Sequence, residues 1–167
     1  GFINASGVTL TTGTPILNNG NLESYRVQRG SVSVDGQGLD AREANYTAIL
    51  ARAAQVNAGI WAQQLQVVTG ANDVAASSLG AASLPQTQAI AGEGAAPAYA
   101  LDVSQLGGMY AGKITLIGTE AGVGVRNAGS VQASSGPLTL TQEGWLSNSG
   151  ALQATGADVQ IQTRGAF

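Results

Sequence analysis

Asn127-Ala-Gly-Ser-Val-Gln-Ala133 recurs 21 residues later as Asn148-Ser-Gly-Ala-Leu-Gln-Ala154. The copies stay in step beyond that stretch: Leu138-Thr-Leu140 returns as Val159-Gln-Ile161, and Gly144 returns as Gly165. A short fixed period built on strand-like triplets marks a solenoid, in which each repeat buries its apolar face only by stacking on its neighbour. Coils of a β-solenoid lie about 4.8 Å apart, so residues one period apart sit above one another. Val131, Leu138, Leu140, Leu152, Val159 and Ile161 are therefore expected to form one buried stack, and Asn127 and Asn148 a turn ladder. A one-residue slip would turn every inward side chain outward, which is why the spacing tolerates no slack.

The same triplet grammar extends upstream. Val8-Thr-Leu10, Val32-Ser-Val34, Leu65-Gln-Val67 and Ile114-Thr-Leu116 each put two apolar residues on one face and a polar residue on the other, and Gly13, Gly36, Gly70 and Gly118 follow them as turn residues. The expected fold is all-β: a parallel β-helix with coils of about 21 residues and extra-helical insertions, the uneven upstream spacings (24 from Val8 to Val32, 33 from Val32 to Leu65, 24 from Ile114 to Leu138) being read as insertions in turns. Residues 45–62 fit two descriptions. Ile49, Ala53, Val56 and Ile60 follow helical spacing, whereas two strands would turn Ile49, Ala51 and Ala53, then Val56, Ala58 and Ile60, inward and leave Arg52 and Asn57 outside; the surrounding strand grammar favours strands. Between Ala71 and Ala98 the pattern lapses into Ala-, Ser-, Gly- and Gln-rich sequence with Pro85 and Pro97, which reads as an excursion from the solenoid or a linker. The expected organisation is 1–70, a connection over 71–98, and a repeat shaft over 99–167.

Composition removes several functions. The 167 residues include 7 Lys and Arg, 10 Asp and Glu, no Cys and no His, for a net charge of -3. A basic footprint for nucleic acid is missing, as are thiol chemistry, Ser-His-Asp chemistry and the usual zinc ligands. No run of about 20 apolar residues spans a bilayer, and no signal segment opens the chain, whose strand-like start at Gly1-Phe2-Ile3-Asn4 suggests that the natural N-terminus lies upstream. The acids are dispersed, and the nearest ones, Asp35, Asp40 and Glu43, flank turns, so no catalytic, cofactor or metal site is expected. Gly122-Val-Gly-Val-Arg126 and Gly36-Gln-Gly38 lack the strand-to-helix setting of a phosphate loop and read as coil turns. Trp61 and Trp145, with Tyr25, Tyr46, Tyr99 and Tyr110, share no period; packing is the expected use, with Trp61 and Trp145 as weak surface-binding candidates.

Taken together, Gly1-Phe-Ile-Asn-Ala-Ser-Gly-Val-Thr-Leu-Thr-Thr-Gly13, Gly38-Leu-Asp-Ala41, Ile49-Leu-Ala-Arg-Ala-Ala-Gln-Val-Asn-Ala-Gly-Ile-Trp-Ala62 and Leu65-Gln-Val-Val-Thr-Gly-Ala-Asn72 resemble the second half of the haemagglutination-activity (two-partner-secretion) domain. The stretch from Ala100 to Asn127 resembles the region that follows it in filamentous haemagglutinins and CdiA-like contact-dependent growth-inhibition exoproteins, and the repeats after Asn127 resemble the haemagglutinin repeats of their shafts. The resemblance implies a right-handed β-helix, export through an outer-membrane transporter partner by way of the periplasm, and display at the surface of a Gram-negative bacterium in toxin delivery or adhesion. The family's Asn-Pro-Asn secretion motifs have no counterpart here, one being expected just before Gly1, so transporter contact is assigned to upstream residues. A carbohydrate- or receptor-binding module on the side wall is the alternative reading. Edge-mediated self-association is expected at Phe2 to Asn4 and at Val159 to Phe167, where open strand edges offer unpaired backbone groups.

Overall fold

The computed structural model describes residues 6–166, and apart from one 3-10 turn at Ala76–Ser78 every regular element within them is a strand. The expected edge at Phe2 to Asn4 lies outside the described residues. Three parallel walls enclose the core. The first stacks β1 (Gly7–Thr11), β6 (Tyr46–Ala51), β9 (Gln64–Thr69), β14 (Lys113–Gly118), β17 (Leu138–Gln142) and β20 (Val159–Thr163) in that order. The second stacks β4 (Ser31–Val34), β7 (Ala53–Val56), β12 (Tyr99–Val103), β15 (Gly124–Asn127) and β18 (Leu146–Asn148), and the third β5 (Leu39–Ala41), β8 (Gly59–Ala62), β13 (Gly108–Ala111), β16 (Ser130–Ala133) and β19 (Ala151–Ala154). The chain visits the second, third and first walls in turn and then climbs one rung, giving five complete coils of a parallel β-helix above β1.

Inward residues form columns along the axis. On the first wall Leu10, Ile49, Val67, Leu116, Leu140 and Ile161 stand in register, beside Val8, Thr47, Leu65, Ile114, Leu138 and Val159. The third wall adds Leu39, Ile60, Met109, Val131 and Leu152, and most of these residues belong to one continuous cluster. This is the arrangement in which each coil's apolar stripe is covered only by the coils on either side of it.

Two sequence expectations change here. Val8-Thr-Leu10 and Val32-Ser-Val34 lie on different walls, so the distances from Val8 to Val32 and from Val32 to Leu65 do not measure coils. Residues 45–62 are strands β6, β7 and β8, with Ile49, Val56, Ala58 and Ile60 in the core, but Arg52 is buried rather than outside and Ala54 rather than Ala53 joins the core cluster. The cause is the corner between β6 and β7: Arg52 turns the chain from one wall to the next, and the in-out alternation restarts one residue later.

Two excursions leave the solenoid and meet each other. β2 (Thr14–Asn18) and β3 (Asn21–Val27) form a hairpin whose turn, Asn19-Gly20, holds φ of 51° and 80°, the doubly positive geometry that Asn-Gly adopts at little cost. β10 (Asn72–Ala75) and β11 (Thr87–Ala89) come from the stretch 71–98, and the four strands make an antiparallel sheet ordered β11-β10-β3-β2. Val27 and Val74 from this sheet, with Leu79, cover the outward residues Ala48, Leu50 and Val68 of the first wall in a second apolar cluster edged by Tyr25, Tyr46 and Ile117. The first wall is thus buried on both faces at β6 and β9.

Candidate functional site

Besides the apolar cover, a buried ion pair ties the end of the 71–98 excursion to the solenoid. From the corner after β6, the Arg52 guanidinium donates from Nη2 to Glu120 Oε1 (2.6 Å), from Nε to Glu120 Oε2 (3.2 Å) and from Nη1 to the Glu93 carbonyl (2.7 Å). Its side chain is 7% exposed and that of Glu120 19%. The hydrogen bonds from Arg52 hold the Glu120 carboxyl below its ordinary range, against the opposing effect of burial. Gly92 lies flat against the guanidinium, where a Cβ would collide with it. One side chain therefore joins the corner after β6, the end of the excursion and the corner after β14, two rungs on.

Several of the dispersed acids are held by neighbouring donors. Asp40 accepts from Arg42 Nε at 2.8 Å and from Nη2 at 2.7 Å and is drawn down to about 2. Asp35 accepts from Ser33 and from Asn57 Nδ2 and is likewise lowered. Asp102 takes both ends of Arg126 at 2.9 and 2.7 Å. Among the described residues no three potential ligands gather as a metal group would require, and no helix is long and apolar enough to cross a membrane. Gly36, Gly38 and Gly122 hold positive φ in coil turns.

The residues named from the repeat fall as follows. Val131, Leu138 and Leu140 are fully buried, Leu152 is partly buried, and Val159 and Ile161 keep register with Leu138 and Leu140 but are exposed at 39% and 36%. The expectation that all six share one buried stack is thereby corrected at the last pair: β20 is the outermost described strand, with no further coil over it among the described residues. Asn127 is buried and donates from Nδ2 to Asn148 Oδ1 at 2.8 Å, while Asn148 is exposed. Asn127 Oδ1 also accepts the Gly129 N–H at 3.2 Å, so the ladder closes the turn as well as linking coils.

The aromatic residues pair rather than form one stripe. Trp61 and Tyr110 face outward in register on the third wall, ring centroids 6.1 Å apart and planes within 18°. Trp145 meets Tyr99 edge-on at 5.6 Å, and Arg126 lies 4.2 Å over the Tyr99 ring. Sequence reading missed the first pair because the two residues lie 49 apart. That distance is the 21-residue period lengthened by the 28 residues of 71–98, and the same offset separates Leu65 from Ile114. Removing the lapse in the pattern before looking for the period would have found both. Reading also passed over the hairpin at 14–27, for which Asn19-Gly20 was the available signal.

Comparison with known proteins gives consistent results. The chain is 50% identical over 154 residues to "Toxin CdiA" of Yersinia pestis, covering 92% of this chain and 4% of that protein. It is 46% identical over 155 residues to "tRNA nuclease CdiA-2" of Burkholderia pseudomallei, covering 92% of this chain and 5% of that one. It is 42% identical over 168 residues to "16S rRNA endonuclease CdiA" of Enterobacter cloacae, covering 97% and 5%. The chain thus spans about a twentieth of the length of these relatives. The crystal structure of a filamentous hemagglutinin secretion domain superposes with a TM-score of 0.76 at 28% identity, over 97% of this chain and 57% of that one. The family model of the TPS secretion domain matches residues 1–148. With the same three-walled solenoid and that match over most of its length, the chain belongs to the TPS secretion domain family.

Proposed function

We propose that this chain is a non-enzymatic structural segment of a large exoprotein that leaves a Gram-negative cell through an outer-membrane transporter partner and acts at the surface in contact-dependent growth inhibition. The observation that carries the reading is the unbroken first wall, β1-β6-β9-β14-β17-β20, in a chain of this family. An emerging chain can add one coil at a time on such an edge, because each new strand finds a row of unpaired N–H and C=O groups waiting. Stepwise stacking outside the membrane favours outward movement, and the finished rod carries whatever follows it away from the cell. The nuclease activities in the names of the relatives belong to proteins about twenty times longer, and the dispersed, ion-paired acids here support a role without chemistry. The unit 1–70 and the shaft 99–167 are proposed to work as one stack, since β14 pairs directly with β9 across the excursion.

The test is export of the full-length exoprotein with its transporter in a Gram-negative host. Deleting residues 31–166 should abolish surface display, and Leu140→Asp should reduce it, whereas Leu106→Asp, at a residue 86% exposed, should leave it at the parental level. Surface display at the parental level after the deletion would refute the proposal. As a second consequence, the isolated 167-residue chain is proposed to associate through its open β20 edge, giving light scattering that rises with concentration.

A further inference from the structure

On the outer face of the third wall, Asp40, Trp61, Tyr110, Gln132 and Gln153 stand directly above one another, one per coil, as the register of β5, β8, β13, β16 and β19 dictates. The two rings are partly exposed and near-parallel, and the side chains of Gln132 and Gln153 are exposed. The neighbouring column is almost without side chains, being Gly59, Gly108, Ser130 and Ala151. The distal edges of Trp61 and Tyr110 occupy the space that a Cβ on Gly59 or Gly108 would need, so each ring is held in one place by its own strand. Rings placed this way are pre-organised, which lowers the entropy lost when a ligand settles on them.

We infer that this row is a binding strip for an extended, uncharged oligosaccharide lying along the solenoid axis. Aromatic rings offer broad apolar area to the C–H faces of pyranose rings, while side-chain amides both donate to and accept from sugar hydroxyls. The row supplies the two in sequence, an aromatic platform on two coils followed by an amide on each of the next two. At about 4.8 Å per coil, Trp61 to Gln153 spans roughly 14 Å, a length suited to a short run of sugar units. Charge selects the ligand: Asp40 is neutralised by the bidentate Arg42, and the other four members of the row are uncharged, so nothing in it rewards a sulfated or sialylated chain. The Tyr99–Trp145 pair on the second wall lacks this character, because Arg126 and Asp102 sit beside it.

The chain has two tryptophans, so Trp145→Phe leaves Trp61 as the only one and its fluorescence reports the strip directly. That variant of the 167-residue chain is titrated with β-1,4-linked glucose and N-acetylglucosamine hexasaccharides and with a heparin hexasaccharide. The expected result is saturable change with at least one neutral oligosaccharide and none with heparin. Binding should weaken at least fivefold in the Gln132→Ala, Gln153→Ala double variant, which removes only exposed side chains and should melt as the parent does, and more than tenfold in Tyr110→Ala. No saturable response to either neutral oligosaccharide, a response to heparin alone, or unchanged affinity in the double glutamine variant would each overturn the inference. None of these outcomes bears on secretion, which is measured separately.

Discussion

Arg52 and Glu120, 68 residues apart in sequence, form a two-bond ion pair that closes the seam between the excursion sheet and the β-helix. The pair bridges the corners after β6 and β14, passing the intervening β9 rung, and through the Glu93 carbonyl it reaches the end of the 71–98 excursion. Removing one partner leaves the other desolvated beside it, which for buried pairs is more costly than losing the pair as a whole.

Arg52→Ala should therefore destabilise the fold by about 3 kcal/mol, the low end for a broken buried pair because Glu120 keeps some solvent contact. The double variant Arg52→Met, Glu120→Leu should recover most of that loss. Urea denaturation of the three proteins checks the ordering, and a single variant as stable as the parent would contradict the assigned burial.

The same pair sets an acid limit. Glu120 titrates below its ordinary value of 4.5 in the folded chain, so its contribution to stability is fully present above that value and is lost as pH falls through the lower, folded one. Melting temperature should decline as pH falls below 4.5, and Glu120→Gln should flatten part of that decline while lowering stability at neutral pH. Equal pH slopes for parent and variant would remove Glu120 from the account.

Position in the stack should decide the cost of truncation within one column. Leu140 is 1% exposed between Leu116 and Ile161, whereas Ile161 is 36% exposed. Leu140→Ala should cost about 3 kcal/mol through lost burial and a cavity. Ile161→Ala should cost under about 1 kcal/mol, because much of its surface already meets water. Thermal melts of the two variants measure the difference.

Gly118 and Gln142 form a further coil-to-coil contact. Gln142, 2% exposed, folds over Gly118 one rung below and donates from Nε2 to the Val123 carbonyl, filling the space where a Cβ on Gly118 would stand. Gly118→Ala should destabilise by about 2 kcal/mol through overpacking, and adding Gln142→Ala should relieve the collision in part. Additive losses in the double variant, read from denaturation midpoints, would show that the two positions do not interact.

The sequence by itself determined the solenoid, because in a stack of coils the period along the chain becomes an axis in space. Asn127 below Asn148 and Leu138 below Val159 need nothing more than constant coil length and inward alternation. Where alternation breaks, the sequence also carried a trace of the excursion sheet: Ile49-Leu50 and Val67-Val68 place apolar residues on both faces of β6 and β9, as strands covered on two sides require, while Leu138-Thr-Leu-Thr141 beyond the cover alternates again. What covers those outer faces was decided only in three dimensions. β3 and β10 pair although β4 through β9 lie between them in the chain, and no local pattern encodes a partner so distant. Arg52 is the clearest case: local alternation puts it outside, but the fold buries it because Glu120 and the Glu93 carbonyl arrive from later segments to satisfy its charge and its donors.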